Sequence, residues 1–99
     1  MTYKISREAA NDLEKIWFYT YENWSIEQAD RYINLIFNDI KLLTNYPNTG
    51  KDYSFIRKGY KSLKVKSHLI FYKINQKNNY IEIIRILHQR MDIDNHLND

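Results

Sequence analysis

The chain opens with an alternation of apolar and polar residues, which changes to a helical spacing after Ser6. Residues 3–6 alternate, and this predicts a short strand with one buried face. Ser6 can cap a helix, because its hydroxyl can accept a hydrogen bond from a free backbone N–H. The apolar residues that follow share one helical stripe, which consists of Ala9, Leu13, Ile16, Trp17 and Trp24. We therefore predict an amphipathic helix after the strand, with Asp12 on its solvated side.

A second amphipathic helix is predicted to begin almost where the first one ends. Ser25 and Gln28 have the spacing of a capping box, which marks the start of a helix. The apolar stripe of this helix consists of Ala29, Ile33, Ile36, Phe37, Ile40 and Leu43. Tyr46 and Pro47 then end it, because the residue before a proline disfavours helical backbone. The two helices should form a hairpin.

The rest of the chain is predicted to form a loop and three strands. Residues 48–59 are polar and end at glycines, so they are predicted as a loop. Strands are predicted over residues 60–65, 69–74 and 80–87, and residues 75–79 suit a tight hairpin. The near-continuous apolar run at 81–87 indicates an interior strand that the helices cover on one face.

Together these elements predict an α+β fold in a single domain spanning residues 1–99. The expected order is β-α-α-β-β-β. An N-terminal strand and an α-helical hairpin precede a three-stranded antiparallel meander, which completes one mainly antiparallel sheet. Residues 91–97 are compatible with a short C-terminal helical turn.

Composition indicates a globular protein that neither crosses a membrane nor forms disulfides. Hydrophobic residues make up 43% of the chain and aromatic residues 15%, which is more than a disordered segment carries. The chain has no cysteine, so core packing must supply its stability. No apolar run approaches the roughly 20 residues of a membrane span, and the N-terminus lacks a signal-peptide pattern. We expect a cytoplasmic location.

Basic residues are concentrated in one segment, although the net charge is only +3. Residues 51–66 contain one acid, Asp52, and six basic residues, which are Lys51, Arg57, Lys58, Lys61, Lys64 and Lys66. Such a patch attracts nucleic acid or an acidic protein. Lysines that protect an edge strand from pairing with another sheet would give the same pattern.

His88 and Arg90 are the residues most suggestive of chemistry. Two residues apart at the end of a strand, they are expected to point to the same face. His88 could move a proton on RNA while Arg90 or Arg85 holds the phosphate. The alternative is a structural or partner-contacting pair, and we give it more weight.

Metal and cofactor sites are not predicted. His68, His88 and His96 lie on different predicted elements and lack the spacing or the cysteine partners of a zinc site. The two glycines are isolated, so no phosphate-binding loop is present, and no serine has a nucleophile-elbow pattern. Nucleotide hydrolysis and acyl transfer are therefore not expected.

Aromatic residues provide candidate contact sites. Trp17 lies on the apolar stripe and is predicted to be buried, whereas Trp24 at the hairpin turn is equally compatible with the core and with a partner contact. Phe71 and Tyr72 alternate in direction, so one of them should face the helices. The other should be exposed, and an exposed aromatic there would contact a partner.

Several phrases along the chain resemble ParE toxins, a branch of the RelE/ParE superfamily. The phrases SHLIFY at 67–72 and RILHQRMD at 85–92 resemble the sheet of that family. Further similar residues are YKISREA at 3–9, Asp12 with Leu13, QADRY at 28–32 and YPNTG at 46–50. Each phrase alone is weak, but their order and spacing make the resemblance fairly specific.

The resemblance implies a toxin of a type II toxin–antitoxin system that inhibits DNA gyrase by binding, with no chemistry and no cofactor of its own. It also implies an acidic antitoxin that folds on binding, with operator DNA contacted only through that antitoxin. Residues expected to contact the antitoxin or the target are Trp24, Arg57, Lys58, Lys61, Lys64, Lys66, Tyr72, His88 and Arg90.

A related branch provides the alternative function. Members similar to RelE cut messenger RNA on the ribosome, and are implied to need arginines on the sheet and a tyrosine near the C-terminus. This chain has Leu69 and residues 91–93 (Met-Asp-Ile) at those places. If it is a ribonuclease, its catalytic residues would be Arg85, His88 and Arg90. A binding domain that has lost toxicity is the remaining alternative.

Overall fold

The computed structural model describes residues 1–97, and in that range it contains five strands, three α-helices and a 3-10 helix at Pro47–Thr49. The elements in order are β1 Thr2–Ile5, α1 Arg7–Asn23, α2 Ile26–Asn45, β2 Lys51–Asp52, β3 Lys61–Val65, β4 His68–Asn75, β5 Tyr80–His88 and α3 Ile93–Leu97. This order confirms the predicted α+β class, the helical hairpin, the meander and the C-terminal helical turn. None of these helices is long and apolar enough to cross a membrane.

The strands form one sheet in the order β1-β5-β4-β3-β2. β1 is parallel to β5, and every other pairing is antiparallel. β5 lies between β1 and β4, which confirms the interior strand. β2 lies inside the predicted loop and was missed, because a strand of two residues is too short to show an alternation.

Serine side chains start both long helices as the sequence predicts. The Ser6 hydroxyl accepts from the Ala9 N–H at 3.0 Å, and the Ser25 hydroxyl accepts from the Gln28 N–H at 3.1 Å. Each bond satisfies one of the backbone donors that a helix leaves free in its first turn. The caps therefore fix where α1 and α2 begin.

The main core lies between the helical hairpin and one face of the sheet. Its fully buried members include Ile36, Ile40 and Leu43 of α2, and Ile70, Tyr72, Ile81 and Ile83 of the sheet. Burying each such side chain contributes about 1.5–3 kcal/mol relative to leaving it in water. This packing holds the hairpin against the sheet.

A smaller core covers the opposite face of the sheet. Phe71 is fully buried there with Leu87 and Leu97, beneath Tyr53 and other residues of the segment before β3. The expectation that one of Phe71 and Tyr72 is exposed is therefore wrong, because both faces of β4 are covered. Tyr72, which was predicted to contact a partner, has no exposed surface.

Tyr72 explains the sequence phrase at residues 46–50. Its hydroxyl donates to the Pro47 carbonyl at 2.8 Å and accepts from the Gly50 N–H at 2.9 Å. A Cβ on Gly50 would lie 2.7 and 2.8 Å from ring carbons of Tyr72, so this position excludes a side chain. The backbone of residues 46–50 therefore provides the hydrogen-bond partners of the buried Tyr72 hydroxyl, which would otherwise have none.

The start of α1 takes the place of a strand along the edge of β5. β1 ends opposite Ile83, and beyond that point the Ser6 N–H donates to the Ile83 carbonyl at 3.0 Å. The Ser6 hydroxyl donates to the Ile84 carbonyl at 2.7 Å, and the Ile86 N–H donates to Asp12 Oδ2 at 2.9 Å. Ser6, the cap of α1, and Asp12 therefore satisfy backbone groups of β5 that β1 is too short to reach.

Asp12 also forms a two-bond ion pair with Arg85. Arg85 Nε and Nη2 donate to Asp12 Oδ2 and Oδ1 at 2.8 and 2.9 Å, and Nη1 donates to the His96 carbonyl at 3.3 Å. The exposed fractions of the two side chains are 8% for Asp12 and 17% for Arg85. The expectation that Asp12 is solvated is therefore wrong, because its charge is used to join α1, β5 and α3.

Replacing Asp12 by Asn should lower the free energy of unfolding by about 3 kcal/mol or more, because Arg85 would keep a largely buried charge without its carboxylate. Urea unfolding of the variant measures this loss. Glu14→Gln on the exposed side of α1 is the matched control, and it should change stability by no more than about 0.5 kcal/mol. Equal stabilities of the Asp12 variant and the control would contradict the role of the pair.

Candidate functional site

A groove of about 980 Å³ runs between the helical hairpin and the ends of β3, β4 and β5. α1 provides Ile16, Tyr19 and Thr20, followed by Trp24 at its end, and α2 provides Gln28, Arg31, Tyr32 and Leu35. The sheet side provides Lys66, Ser67, His68, Ile86, His88 and Met91. The four α2 residues recur at three- and four-residue spacings, so they line one face of that helix.

Two aromatic side chains stand on the rim of the groove. Tyr19 and Trp24 are each 62% exposed, and their ring centroids are 6.3 Å apart. Trp24 is exposed because α1 ends at Asn23, so Trp24 leaves the apolar stripe on which the sequence placed it. This outcome favours the partner-contact reading of Trp24 over the core reading.

Trp17 is only partly buried, so its predicted place in the core is wrong. Its indole N–H donates to Asp30 of α2 at 2.9 Å, and its ring stacks on Tyr21 at a centroid distance of 5.3 Å. The indole therefore bridges the two helices near the surface. A tryptophan is well suited to this position, since one end is apolar and the other is a hydrogen-bond donor.

Cationic side chains accompany the apolar walls. Lys15, Arg31 and Lys66 line the groove, while the charge of Asp12 is already paired with Arg85. Lys66 has φ 56°, a left-handed conformation that lysine rarely adopts, in the two-residue turn between β3 and β4. The groove is therefore apolar inside and positive at its edge.

Tyr32, His68 and His88 meet at the sheet side of the groove. The Tyr32 hydroxyl lies 2.6 Å from His68 Nδ1 and 3.2 Å from the Val65 carbonyl oxygen. Because a carbonyl oxygen can only accept, the Tyr32 hydroxyl donates its one proton to Val65 and accepts from the Nδ1–H of the neutral His68 ring. The rings of His68 and His88 are 5.2 Å apart and meet edge to face.

Burial controls the protonation of this cluster. Burial is the main cause that lowers the pKa of His68 to about 4, and the neighbouring His88 lowers it further. The Asp12 carboxylate acts in the opposite direction. Burial also raises the pKa of the Tyr32 phenol, against smaller opposing effects of its contacts with Ser67. Near neutral pH, His68 is therefore uncharged and Tyr32 keeps its proton.

A β-bulge brings the two histidines together. Phe71 pairs with Arg85 while the next residue, Tyr72, pairs with Ile83, so Ile84 is an extra residue in β5. The shift places His68 directly opposite His88. Without it the same hairpin would pair His68 with Leu87.

The predicted contact residues divide between several places. Trp24, Lys66 and His88 line the groove. Lys61 and Lys64 are on β3, and Arg57 and Lys58 lie in the segment that covers the other face of the sheet.

Of the three residues in the ribonuclease alternative, only His88 lines the groove. Arg85 is bound to Asp12. Arg90 lies beyond the end of β5 at His88. The prediction that Arg90 points to the same face as His88 required the strand to continue to residue 90, and the strand does not. The backbone N–H of Arg90 instead donates to His88 Nδ1 at 3.1 Å.

Sequence reasoning missed several residues of the groove. Tyr32 and Arg31 belong to the phrase at 28–32, which was noted only as part of a resemblance. Their spacing from Gln28 on the predicted helix was a usable signal. His68 was considered only as a metal ligand, and its pairing with His88 depends on a bulge that no local pattern marks. Within residues 1–97, no three His, Cys, Asp or Glu side chains form a group that could hold a metal ion.

Comparison with known proteins assigns the family. The family model described as "ParE toxin of type II toxin-antitoxin system, parDE" matches residues 3–93. The chain belongs to the ParE toxin family. ParE1 toxins of Mycobacterium tuberculosis and Caulobacter vibrioides are 37% and 36% identical to it over 95 residues, which is 96% of each chain.

Two solved structures share the ParE fold of this chain. A chain of the chromosomal ParDE system from P. aeruginosa has a TM-score of 0.76 and 23% identity, and the match covers 89% of this chain and 95% of that one. A chain of the RelBE2 toxin–antitoxin complex from Mycobacterium tuberculosis has a TM-score of 0.59 and 21% identity, with 88% and 95% covered.

The protonation of His68 makes stability depend on pH. Its folded pKa of about 4 lies below the ordinary value of 6.5, so the folded state favours the neutral ring. Between pH 6.5 and about 4 the unfolded chain protonates His68 while the folded protein does not. The free energy of unfolding should therefore be highest above pH 6.5 and should decrease as the pH falls toward 4. Urea unfolding at several pH values should show this loss in the wild type and a smaller one in His68→Gln. Parallel pH profiles for the two proteins would contradict it.

Proposed function

We propose that this ParE family member inhibits DNA gyrase by binding, and that a cognate antitoxin neutralises it by occupying the groove. We place this action in the cytoplasm. The observation that carries the proposal is the arrangement around Arg85, whose guanidinium is bound to Asp12 within the fold. One of the two arginines expected to hold a phosphate is therefore bound within the fold.

The chemistry of the histidine cluster also supports binding over catalysis. A general base is most effective when its pKa lies near the working pH, and burial lowers the pKa of His68 to about 4. Its Nδ1 atom is already in contact with the Tyr32 hydroxyl. The ribonuclease alternative retains only His88 in the groove, so we do not propose it.

The groove suits an amphipathic, acidic segment. Apolar side chains of such a segment would fill the cavity, while its carboxylates would face Lys15, Arg31 and Lys66 at the edge. Trp24 and Tyr19 would lose exposed surface on binding, as aromatic residues of binding hot spots do. We propose that the antitoxin provides this segment, and that it folds as it binds.

A supercoiling assay with purified gyrase tests the proposal. The toxin should block supercoiling, and addition of the antitoxin encoded beside its gene should restore it. Trp24→Ala should weaken antitoxin binding about tenfold or more, because a large aromatic anchor is lost. Leu42→Ala, a similarly exposed apolar position of α2 outside the groove, is the matched control.

Two results would contradict the proposal. One is normal supercoiling at saturating toxin. The other is cleavage of messenger RNA within codons after induction, if that cleavage disappears in a His88→Ala variant.

A further inference from the structure

Residues 53–60, here called the aromatic-basic loop, form a second exposed surface. The loop packs on the sheet face opposite the helical hairpin, since Tyr53 contacts Phe71 with a ring-centroid distance of 5.1 Å. The antitoxin groove opens on the helical side. The molecule therefore presents two different surfaces on the two sides of its sheet.

The loop has a fixed conformation, as a preformed binding surface requires. Tyr53 and Tyr60 close it through an N–H to carbonyl bond of 2.8 Å, and the Ile56 and Tyr60 N–H groups bond within it at 3.0 and 3.1 Å. Asp52 holds the entry to the loop by accepting from the Ser54 hydroxyl at 2.6 Å. Little conformational freedom would therefore be lost when a partner binds.

Phe55 stands out from this fixed loop. It is 72% exposed, the largest exposed fraction among the large apolar side chains of residues 1–97. Its ring centroid lies 4.8 Å from that of Tyr53, whose own side chain is partly buried. Phe55 therefore points into solvent and does not contribute to either core.

The charges around Phe55 are positive. Lys51, Arg57 and Lys58 are exposed, and within residues 1–97 no carboxylate forms an ion pair with any of them. Arg57 lies over the Tyr60 ring at 5.9 Å, and the nearby Asp52 carboxylate is engaged by Ser54. A phenylalanine beside an arginine and lysines is complementary to an acidic protein surface that contains an apolar pocket.

We propose that the aromatic-basic loop is the surface that binds the target, and that the target offers an acidic, pocketed protein surface to it. The antitoxin binds the groove on the other side of the sheet. A single projecting aromatic favours a protein pocket over single-stranded nucleic acid, which needs several stacking platforms along a groove. The inference rests on the proposed function, because it requires that the chain is a toxin with a protein target.

Two loop variants and two controls test this assignment. Phe55→Ala removes the projecting ring, and Arg57→Glu combined with Lys58→Glu reverses the charge. Phe18→Ala, which removes an exposed phenylalanine of α1, and Lys77→Glu in the turn before β5 are the matched controls. The readouts are growth arrest on induction, gyrase inhibition, and binding of purified antitoxin, which also reports folding.

Both loop variants should lose about tenfold or more in growth arrest and gyrase inhibition, while antitoxin binding stays at the wild-type level. The controls should behave as the wild type in all three measurements. Loop variants that arrest growth like the wild type would overturn the inference. A loop variant that loses antitoxin binding but stays toxic would also overturn it.

The assays separate this inference from the proposed function. If the wild type arrests growth without affecting gyrase, the gyrase proposal fails, and loss of growth arrest in the loop variants still supports the loop as the target surface. If the wild type is not toxic, both proposals fail. If the loop variants lose binding to duplex DNA but still bind gyrase, the partner is nucleic acid and the inference is overturned.

Discussion

Two charged side chains, Asp12 of α1 and Arg85 of β5, meet where the sheet lacks a neighbouring strand. The carboxylate accepts from the guanidinium and from the Ile86 backbone, and the guanidinium also reaches the His96 carbonyl of α3. A buried charge is tolerated only when its hydrogen bonds are satisfied. The pair meets that condition, and so it can fix α1 against the sheet.

This arrangement links the stability of the fold to the shape of the groove. The wall of the groove that α1 forms is held in place by the ion pair, and Asp12 itself lines the groove. On the sheet side of the groove, burial and the neighbouring His88 lower the pKa of His68 to about 4, so this ring is uncharged near neutral pH. A pKa that low makes His68 a weak general base near neutral pH.

Sequence patterns were sufficient where one element determines its own structure. The serine caps, the apolar run of β5 and the apolar stripes of α1 and α2, except Trp17 and Trp24, depend on local sequence, and these predictions are confirmed. Asp12 was misread because its partner lies 73 residues away in the chain. The burial of Phe71 depends on a loop with no periodic pattern, and the pairing of His68 with His88 depends on one inserted residue, Ile84. Each of these features arises only from tertiary contacts.

A double-mutant cycle between Asp12 and Arg85 tests the central claim most directly. Asp12→Asn, Arg85→Met and the double variant would be compared with the wild type by urea unfolding. If the pair holds α1 to the sheet as described, the coupling energy should be about 2 kcal/mol or more, with the double variant more stable than additivity predicts. Effects that add to within about 0.5 kcal/mol would contradict the claim.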